Sequence, residues 1–223
     1  MTVEGTDTFH ESNTAWSLSR IVTRGPKRAF DIAVAATVLV FAAPLMAVVA
    51  ILVSRDGGPV LFGHERIGRN GKRFRCLKFR SMVVNADEVL AAYLEQNPSA
   101  RAEWEERRKI SNDPRVNKVG QFLRKSSLDE LPQLFNVLRG EMSIIGPRPV
   151  VDDELPRYGR RVHHYLNCRP GLTGLWQVKG RSSTTYRRRV AFDTAYAKQR
   201  NFAMDLQILM LTVPAVLFRV GAE

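Results

Sequence analysis

The dominant pattern in the chain is an apolar segment over residues 32–53, in which Thr37 is the only polar residue. At about 1.5 Å per residue, a straight helix of this length just crosses a hydrocarbon core of roughly 30 Å. Pro44 lies in the middle of the segment, where proline removes a backbone hydrogen bond and bends a helix. The segment therefore predicts a membrane helix that either spans the bilayer or turns back near Pro44.

Basic residues on both sides of this segment favour the second arrangement. They are Arg20, Arg24, Lys27 and Arg28 before it, and Arg55, Arg66, Arg69, Lys72, Arg73, Arg75, Lys78 and Arg80 after it. Because basic residues stay on the cytoplasmic side, a spanning helix puts one of these groups on the wrong side. We therefore predict a re-entrant hairpin over residues 24–55 that enters and leaves by one leaflet, with arms of roughly 16 Å.

The remaining patterns are shorter. Residues 1–23 are polar and mixed, which predicts a flexible tail. Residues 60–62 and 73–79 alternate like two strands around a turn at 69–72. Helical spacing recurs over residues 85–109 with a break at Asn97-Pro98, and then over 116–123, 131–138, 186–200 and 204–218. Gly140 ends the third of these helices, and residues 170–174 form a loop. The predicted class is α+β and mainly helical: a re-entrant membrane helix and, over residues 56–223, one compact cytosolic catalytic domain with short strands and interfacial amphipathic helices.

Composition adds a preference for anionic partners. The net charge is +12 and the pI about 10.3, which suits nucleic acid, acidic lipid or a phosphorylated substrate. Cys76 and Cys168 lack the spacing of a zinc site, so we expect two reduced thiols.

A carboxylate pair, Asp129 and Glu130, carries the candidate chemistry. Neighbours on a helix point about 100° apart, so the two side chains suit different tasks. Pro132 and the capping-box spacing of Ser127 and Glu130 place the pair at a helix N-terminus, which favours carboxylates and phosphate alike. The alternative is that the pair only complements the helix dipole.

Nearby arginines favour a phosphate site. Arg124 precedes the pair by five residues, and Pro147 and Pro149 restrict the backbone on both sides of Arg148. The planar guanidinium matches phosphate through paired hydrogen bonds. Together with the apolar segment, these residues predict a site that handles phosphate at a membrane.

Six motifs resemble the bacterial sugar transferase family, the monotopic phosphoglycosyl transferases. They lie at residues 27–31, 77–82, 127–134, 146–149, 170–178 and 203–206. The chain is most similar to members that start exopolysaccharide assembly. Such members transfer galactose- or glucose-1-phosphate from a UDP-sugar to undecaprenyl phosphate, with release of UMP.

The resemblance implies roles for individual residues. Asp129 matches the nucleophile of a covalent phosphosugar–enzyme intermediate, and Glu130 matches a residue associated with Mg²⁺. Positions at or near the family's active site match Lys78, Arg124 and Arg148. Arg181 matches a region linked to the nucleotide, and Asp193 matches another active-site acid.

The resemblance also implies a re-entrant helix and a location at the bacterial inner membrane, with the catalytic domain on the cytoplasmic face. The implied partners are the UDP-sugar, undecaprenyl phosphate and anionic lipid, with self-association open. Ala43-Pro44 departs from the Ser-Pro of some members. The serine hydroxyl can satisfy a freed carbonyl, so the sharpness of the bend here is in question.

Three rival hypotheses remain at this point. A membrane-tethered nucleic-acid binder explains the charge, but the sequence has no nucleic-acid motif, and many basic residues flank the apolar segment, so we expect no nucleic-acid partner. A non-catalytic scaffold leaves Asp129, Glu130 and Arg148 unexplained. Direct displacement in a ternary complex, without a covalent intermediate, is the alternative mechanism.

Overall fold

The computed structural model describes residues 8–107, 110, 112–180 and 184–217. Its helices are α1 (Thr8–Ser54), α2 (Ala86–Gln96), α3 (Pro98–Arg107), α4 (Lys118–Ser126), α5 (Gln133–Arg139), α6 (Val162–Leu166), α7 (Leu175–Lys179), α8 (Tyr186–Gln199) and α9 (Phe202–Leu217). Its strands are β1 (Leu61–Ile67), β2 (Arg73–Phe79), β3 (Ser143–Ile145) and β4 (Gly171–Thr173), and 3-10 segments cover Arg69–Gly71, Leu128–Glu130 and Asp152–Arg161. The mainly helical class with short strands is confirmed.

β1 and β2 form an antiparallel hairpin; β2 has the predicted bounds, whereas β1 continues to Ile67, beyond the predicted residues 60–62. Leu61 pairs with Phe79 at one end and Ile67 with Arg73 at the other. Directly opposed residues, and residues two apart, share a face of a sheet. Since Arg66 pairs with Phe74, this register places Arg66, Cys76 and Lys78 on one face.

β3 and β4 form a parallel pair that the sequence does not predict. Ser143 pairs with Gly171 and Ile145 with Thr173, so the segment predicted as a loop over residues 170–174 contains a strand. Strands of three residues are too short to produce a recognisable alternation. Pro147 and Arg148 follow shortly after the end of β3, so the pairing of β3 with β4 fixes the position of the Arg148 backbone.

α5 ends at Gly140 as predicted, with a left-handed φ of +82° that glycine adopts without strain. Arg28 of α1 caps this end from outside. Its Nη1 donates to the carbonyl of Val137 at 2.5 Å and its Nη2 to that of Leu138 at 2.8 Å. A cation at the helix C-terminus also complements the dipole, so these bonds attach α1 firmly to α5.

A buried carboxylate fixes α1 to β3 as well. Asp31, 1% exposed, accepts hydrogen bonds from Lys27 Nζ at 2.9 Å, Ser143 Oγ at 3.0 Å and the backbone N–H of Ile144 at 3.1 Å. Lys27 also lies 3.4 Å from Asp205 of α9. Two basic residues that the sequence assigns to the membrane flank, Lys27 and Arg28, therefore hold α1 against the domain.

Both ends of the apolar segment pack on the same domain. Phe30, Val34, Ala35 and Leu39 join a core with residues of α5 and β3, whereas Met46, Val49, Ala50 and Val53 pack with Phe79 of β2 and Leu123 of α4. Between these two sets the side chains are exposed, with Val40 at 72% and Phe41 at 80%. The helix thus contacts the domain twice and presents apolar side chains outward in between.

α1 differs from the prediction at two points. It begins at Thr8, so residues 8–23 are helical where the sequence predicts a flexible tail, and residues 1–7 lie outside the described part. The helix continues through Gly25 and Pro26, two residues that usually interrupt a helix, so local propensity does not account for its extension. The bounds of α1 also include Pro44, so a break between two arms at that proline is not confirmed.

Candidate active site

Asp129 and Glu130 lie in the 3-10 turn between α4 and α5. The predicted capping box is wrong. Ser127 ends α4 in the left-handed region, with φ of +56°, and its side chain makes no capping hydrogen bond. A non-glycine residue in that region is uncommon. Here it turns the chain, so the 3-10 turn that carries both carboxylates begins directly after α4.

Lys78 of β2 bridges the two carboxylates. Its Nζ lies 2.6 Å from Glu130 Oε1 and 3.4 Å from Asp129 Oδ2. The side chain of Asp129 is only 10% exposed, whereas that of Glu130 is 40% exposed. One carboxylate is therefore enclosed and the other accessible, and the different tasks of the two stay a prediction.

Two opposing effects determine the pKa of Asp129. Burial raises the pKa of its carboxyl, the positive charge of Lys78 lowers it, and the net pKa lies above the usual aspartate value. Burial lowers the pKa of Lys78, but Glu130 and Asp129 outweigh this and its pKa is raised. The ammonium is therefore held in its charged form beside a carboxylate whose charge is costly to bury.

Asn136 of α5 positions Lys78 and is a residue that the sequence does not single out. It is fully buried; its Oδ1 accepts from the N–H of Leu77 at 2.9 Å, and its Nδ2 donates to the carbonyl of Arg75 at 2.8 Å and to Glu141 at 2.6 Å. These bonds fix the β2 backbone directly before Lys78. An asparagine inside an otherwise apolar helical repeat is the sequence signal that could have identified it.

Arg124 lies near the pair, as predicted. Its Nε donates to Ser81 Oγ at 2.9 Å, and its charge contributes to lowering the pKa of Asp129. The structure therefore brings Lys78, Arg124, Asp129 and Glu130 together from β2, α4 and the turn that follows α4.

The other predicted residues lie apart from this group. Arg148 Nη1 is 3.6 Å from Glu154 Oε1, and its guanidinium lies over the ring of Trp176 at 5.9 Å. Asp193 is 2% exposed beneath Arg148, accepting from Tyr158 OH at 2.7 Å and from the backbone N–H of Arg148. Burial raises the pKa of Asp193 to about 7, and its hydrogen bond from the backbone N–H of Arg148 holds the Arg148 loop in place. Arg181 lies outside the described residues.

The carboxylate pair suits Mg²⁺. In the described part of the chain no group of three or more His, Cys, Asp or Glu side chains converges on one point, as a site built wholly from protein would require. Mg²⁺ commonly uses one or two carboxylates and completes its shell with water and substrate phosphates. The accessible Glu130, with Asp129 beside it, fits that pattern.

Comparison with known proteins identifies the family. A sequence model described as bacterial sugar transferase matches residues 22–219. The chain belongs to the bacterial sugar transferase family. The match includes α1 from residue 22 onward, the carboxylate pair and α9, so the resemblance drawn from the six motifs is confirmed.

Named relatives in this family share about half of their aligned residues with the chain. It is 50% identical over 206 residues to the UDP-galactose-lipid carrier transferase of Erwinia amylovora and 53% identical over 206 residues to the undecaprenyl-phosphate galactose phosphotransferase of Salmonella typhimurium. Each alignment covers 92% of this chain and 43% of the relative. It is also 52% identical over 197 residues to the exopolysaccharide production protein ExoY of Sinorhizobium fredii, covering 88% of this chain and 87% of that protein. The chain thus spans under half the length of the first two relatives and most of the third.

Proposed function

We propose that this protein transfers a hexose-1-phosphate, galactose or glucose, from a UDP-sugar to undecaprenyl phosphate and releases UMP. This reaction would be the first membrane step of exopolysaccharide synthesis. The names of the relatives support the substrate class. The observation that carries the chemistry is the enclosed Asp129 carboxylate, beside an accessible Glu130 and bridged to it by Lys78.

In the first step, an oxygen of Asp129 attacks the phosphorus that bears the sugar. A carboxylate oxygen–phosphorus bond forms, the bridging phosphorus–oxygen bond of the diphosphate breaks, and UMP leaves with the bridging oxygen. Carboxylates act as nucleophiles on phosphorus in other phosphoryl transfers. Partial burial leaves Asp129 poorly hydrated, and Lys78 favours its ionised form and orients it.

In the second step, a phosphate oxygen of undecaprenyl phosphate attacks the phosphorus held by Asp129. The Asp129–phosphorus bond breaks, the carboxylate is regenerated, and the product is a polyprenyl diphosphosugar. One diphosphate linkage is lost and one is formed, so the reaction needs no additional source of energy.

Glu130, with Asp129 beside it, is the residue that would hold Mg²⁺. When bound, the ion supplies positive charge that offsets the charge of the phosphates. Lys78 and Arg124 supply fixed positive charge from the protein to the same region. The site would then present cations on several sides of the reacting phosphorus, which is the main requirement for phosphoryl transfer.

We also propose that α1 is re-entrant and that the domain lies on the cytoplasmic face of the inner membrane. Residues 31–53 would cover roughly 33 Å if straight and spanning, which puts one end beyond the bilayer. Yet the Asp31 end contacts β3, and at the other end the carbonyl of Val53 accepts from Arg80 at 2.9 Å. A domain confined to one side of the membrane can contact both ends only if both ends return to that side.

Cysteine labelling tests this topology. Gly25→Cys and Ser54→Cys lie at the two ends, both exposed, and Phe41→Cys lies between them. The native Cys76 and Cys168 are buried and give little background. In intact spheroplasts, we expect an impermeant maleimide to label neither end, and after permeabilisation to label both. Position 41 should stay unlabelled because lipid covers it. Labelling of one end from outside would show a spanning helix.

A UMP-release assay tests the reaction. Purified protein in lipid nanodiscs is incubated with UDP-galactose, UDP-glucose and other UDP-sugars, with and without undecaprenyl phosphate. With one of the two hexoses we expect multiple turnovers only when the lipid is present, about one UMP per enzyme without it, and no UMP after chelation of Mg²⁺. No UMP from any donor, with and without lipid, would overturn the proposed function.

A further inference from the structure

Three arginines from separate elements converge around Glu154, apart from the carboxylate pair. Arg66 comes from β1, Arg148 from the loop after β3 and Arg189 from α8, and we refer to them as the arginine triad. Arg148 and Arg189 both lie over Trp176, with guanidinium-to-ring distances of 5.9 and 4.6 Å. Sequence motifs identify only Arg148, because the other two reach it through folding.

The triad is short of hydrogen-bond acceptors. A guanidinium carries five N–H donors, and among the described residues none of these three side chains donates a hydrogen bond. Arg189 Nε is buried without a partner. Arg80, by contrast, donates to three backbone carbonyls and to Asp56.

One carboxylate, with 18% of its side chain exposed, faces the triad without bonding closely to it. Glu154 Oε1 is 3.6 Å from Arg148 and Oε2 is 3.9 Å from Arg66, whereas a charge-assisted hydrogen bond is about 2.7–2.9 Å. Oε2 accepts instead from the N–H of Val151 at 3.2 Å. The buried Asp193 is already bonded to Tyr158. Positive charge therefore exceeds negative charge at this point.

The excess positive charge of the triad destabilises the folded protein. Burial lowers the pKa of both Arg66 and Arg189, and the charge of Arg148 lowers them further. Like charges that are partly buried destabilise a fold unless an anion joins them. Half-burial without acceptors distinguishes these arginines from a solvated surface patch, and it points to a ligand with several oxyanion oxygens.

Backbone pairing holds two of the arginines in place. The N–H of Ile67 donates to the carbonyl of Val150 at 2.9 Å, and Tyr165 OH donates to the carbonyl of Ile67 at 2.6 Å while accepting from the N–H of Val150 at 3.2 Å. Ile67, next to Arg66, and Val150, two residues after Arg148, are therefore fixed to each other. Preorganisation of this kind reduces the cost of binding.

We infer that the arginine triad binds the nucleotide donor through the phosphate on its nucleoside side, and that this phosphate displaces Glu154 from the two arginines it faces. The inference rests on the proposed function. Arg66 and Lys78 share one face of the hairpin with Cys76 between them, roughly 13 Å apart along the strands. One diphosphate ester can therefore reach toward both the triad and Asp129.

The position of the triad favours the donor over the lipid as its ligand. The apolar cluster beside the triad consists of Ile67, Val150, Leu155, Tyr158, Val162, Tyr165, Leu166, Tyr186 and Val190. No described residue of α1 belongs to it, whereas α1 packs against Leu128 and Leu131, which flank the carboxylate pair. A soluble nucleotide can approach from the side away from α1, and a membrane-bound acceptor from the side of α1.

Removal of the triad cations tests the inference. For Arg66→Gln and Arg189→Gln we expect the KM for the UDP-sugar to rise at least about tenfold, with the KM for undecaprenyl phosphate unchanged, because charged hydrogen bonds to the donor are lost. Arg187→Gln removes the same charge from an exposed position on α8 and should change neither constant. A rise in the lipid KM alone would assign the triad to the acceptor phosphate and overturn the inference.

Glu154→Gln tests the displacement in the opposite direction. Glutamine keeps the acceptor for Val151 but removes the charge that competes with phosphate, so we expect the donor KM to fall about twofold to fivefold. Asp152→Asn is the matched control in the same 3-10 segment, since Asp152 pairs with Arg73 instead. An unchanged or higher KM in Glu154→Gln would contradict the displacement.

UDP binding separates the inference from the proposed reaction. UDP titrated into the Asp129→Asn protein is followed by calorimetry, which needs no turnover. Weaker UDP binding in the Arg66→Gln and Arg189→Gln backgrounds supports the triad even if no UDP-sugar is ever turned over. Normal turnover with unchanged UDP affinity in both variants would leave the proposed function standing and remove the triad from it.

Discussion

Asp129→Asn is expected to reduce UMP release by at least about a thousandfold and to abolish covalent labelling by sugar phosphate. The amide cannot form the oxygen–phosphorus bond on which the proposed first step depends. It keeps the size of the side chain, so the loss should not come from misfolding. Labelling is measured with a UDP-sugar carrying a radioactive hexose, in the absence of lipid acceptor, followed by denaturation and mass determination.

Glu130→Gln is the matched comparison. The adjacent carboxylate is accessible and holds Lys78 at 2.6 Å, so its loss should weaken the apparent affinity for Mg²⁺ and slow turnover without preventing labelling at saturating metal. An Asp129→Asn enzyme that releases UMP at the normal rate would exclude the covalent scheme. Turnover that needs Asp129 but never yields a labelled protein would favour direct displacement in a ternary complex.

Asp129→Asn, which should abolish activity, should increase the stability of the fold. Burial raises the pKa of Asp129 above that of an unfolded aspartate. Its contribution to stability is therefore present below the unfolded value and is lost as pH rises through the raised folded value. At neutral pH the ionised carboxylate opposes folding, so Asp129→Asn should raise Tm. A lowered Tm would indicate that Asp129 has a structural role.

Local patterns predict the parts of this structure that depend on neighbouring residues. The hairpin of β1 and β2 follows from alternation around a turn, and the end of α5 follows from Gly140. Asp129 and Glu130 are found because they are adjacent to each other and to a proline. The site around them is only partly local, since Lys78 arrives from a strand 51 residues away from Asp129.

Other features could not be read from the sequence because they depend on distant pairing. β3 and β4 form only by pairing with each other, and three residues are too few to show the alternation typical of a strand. Ser127 has capping-box spacing, but it lies in the left-handed region because the 3-10 turn begins directly after α4. Its side chain therefore makes no capping hydrogen bond. Arg66 and Arg189 look like ordinary surface cations until folding places them beside Arg148.

The distant contact with the largest consequence is that of Asn136, and Asn136→Leu is expected to cost about 3–5 kcal/mol of unfolding free energy. Leucine has a similar volume but leaves the N–H of Leu77 and the carbonyl of Arg75 without their partner. The measurement is chemical denaturation in detergent micelles followed by circular dichroism. Gln121→Leu, which places the same side chain at an exposed position of α4, should change stability little.

Asn136→Leu should also reduce activity, because the lost hydrogen bonds fix the strand that carries Lys78. Lys78 follows Leu77 directly, so a β2 strand released from α5 no longer holds the ammonium against Asp129 and Glu130. The pKa of Asp129 should then rise further, because Lys78 is the main group that lowers it. Below the temperature of unfolding, the acid limb of the pH–rate profile should therefore shift to higher pH in Asn136→Leu and stay in place in Gln121→Leu. A stable Asn136→Leu protein with an unshifted profile would mean that α5 does not position Lys78.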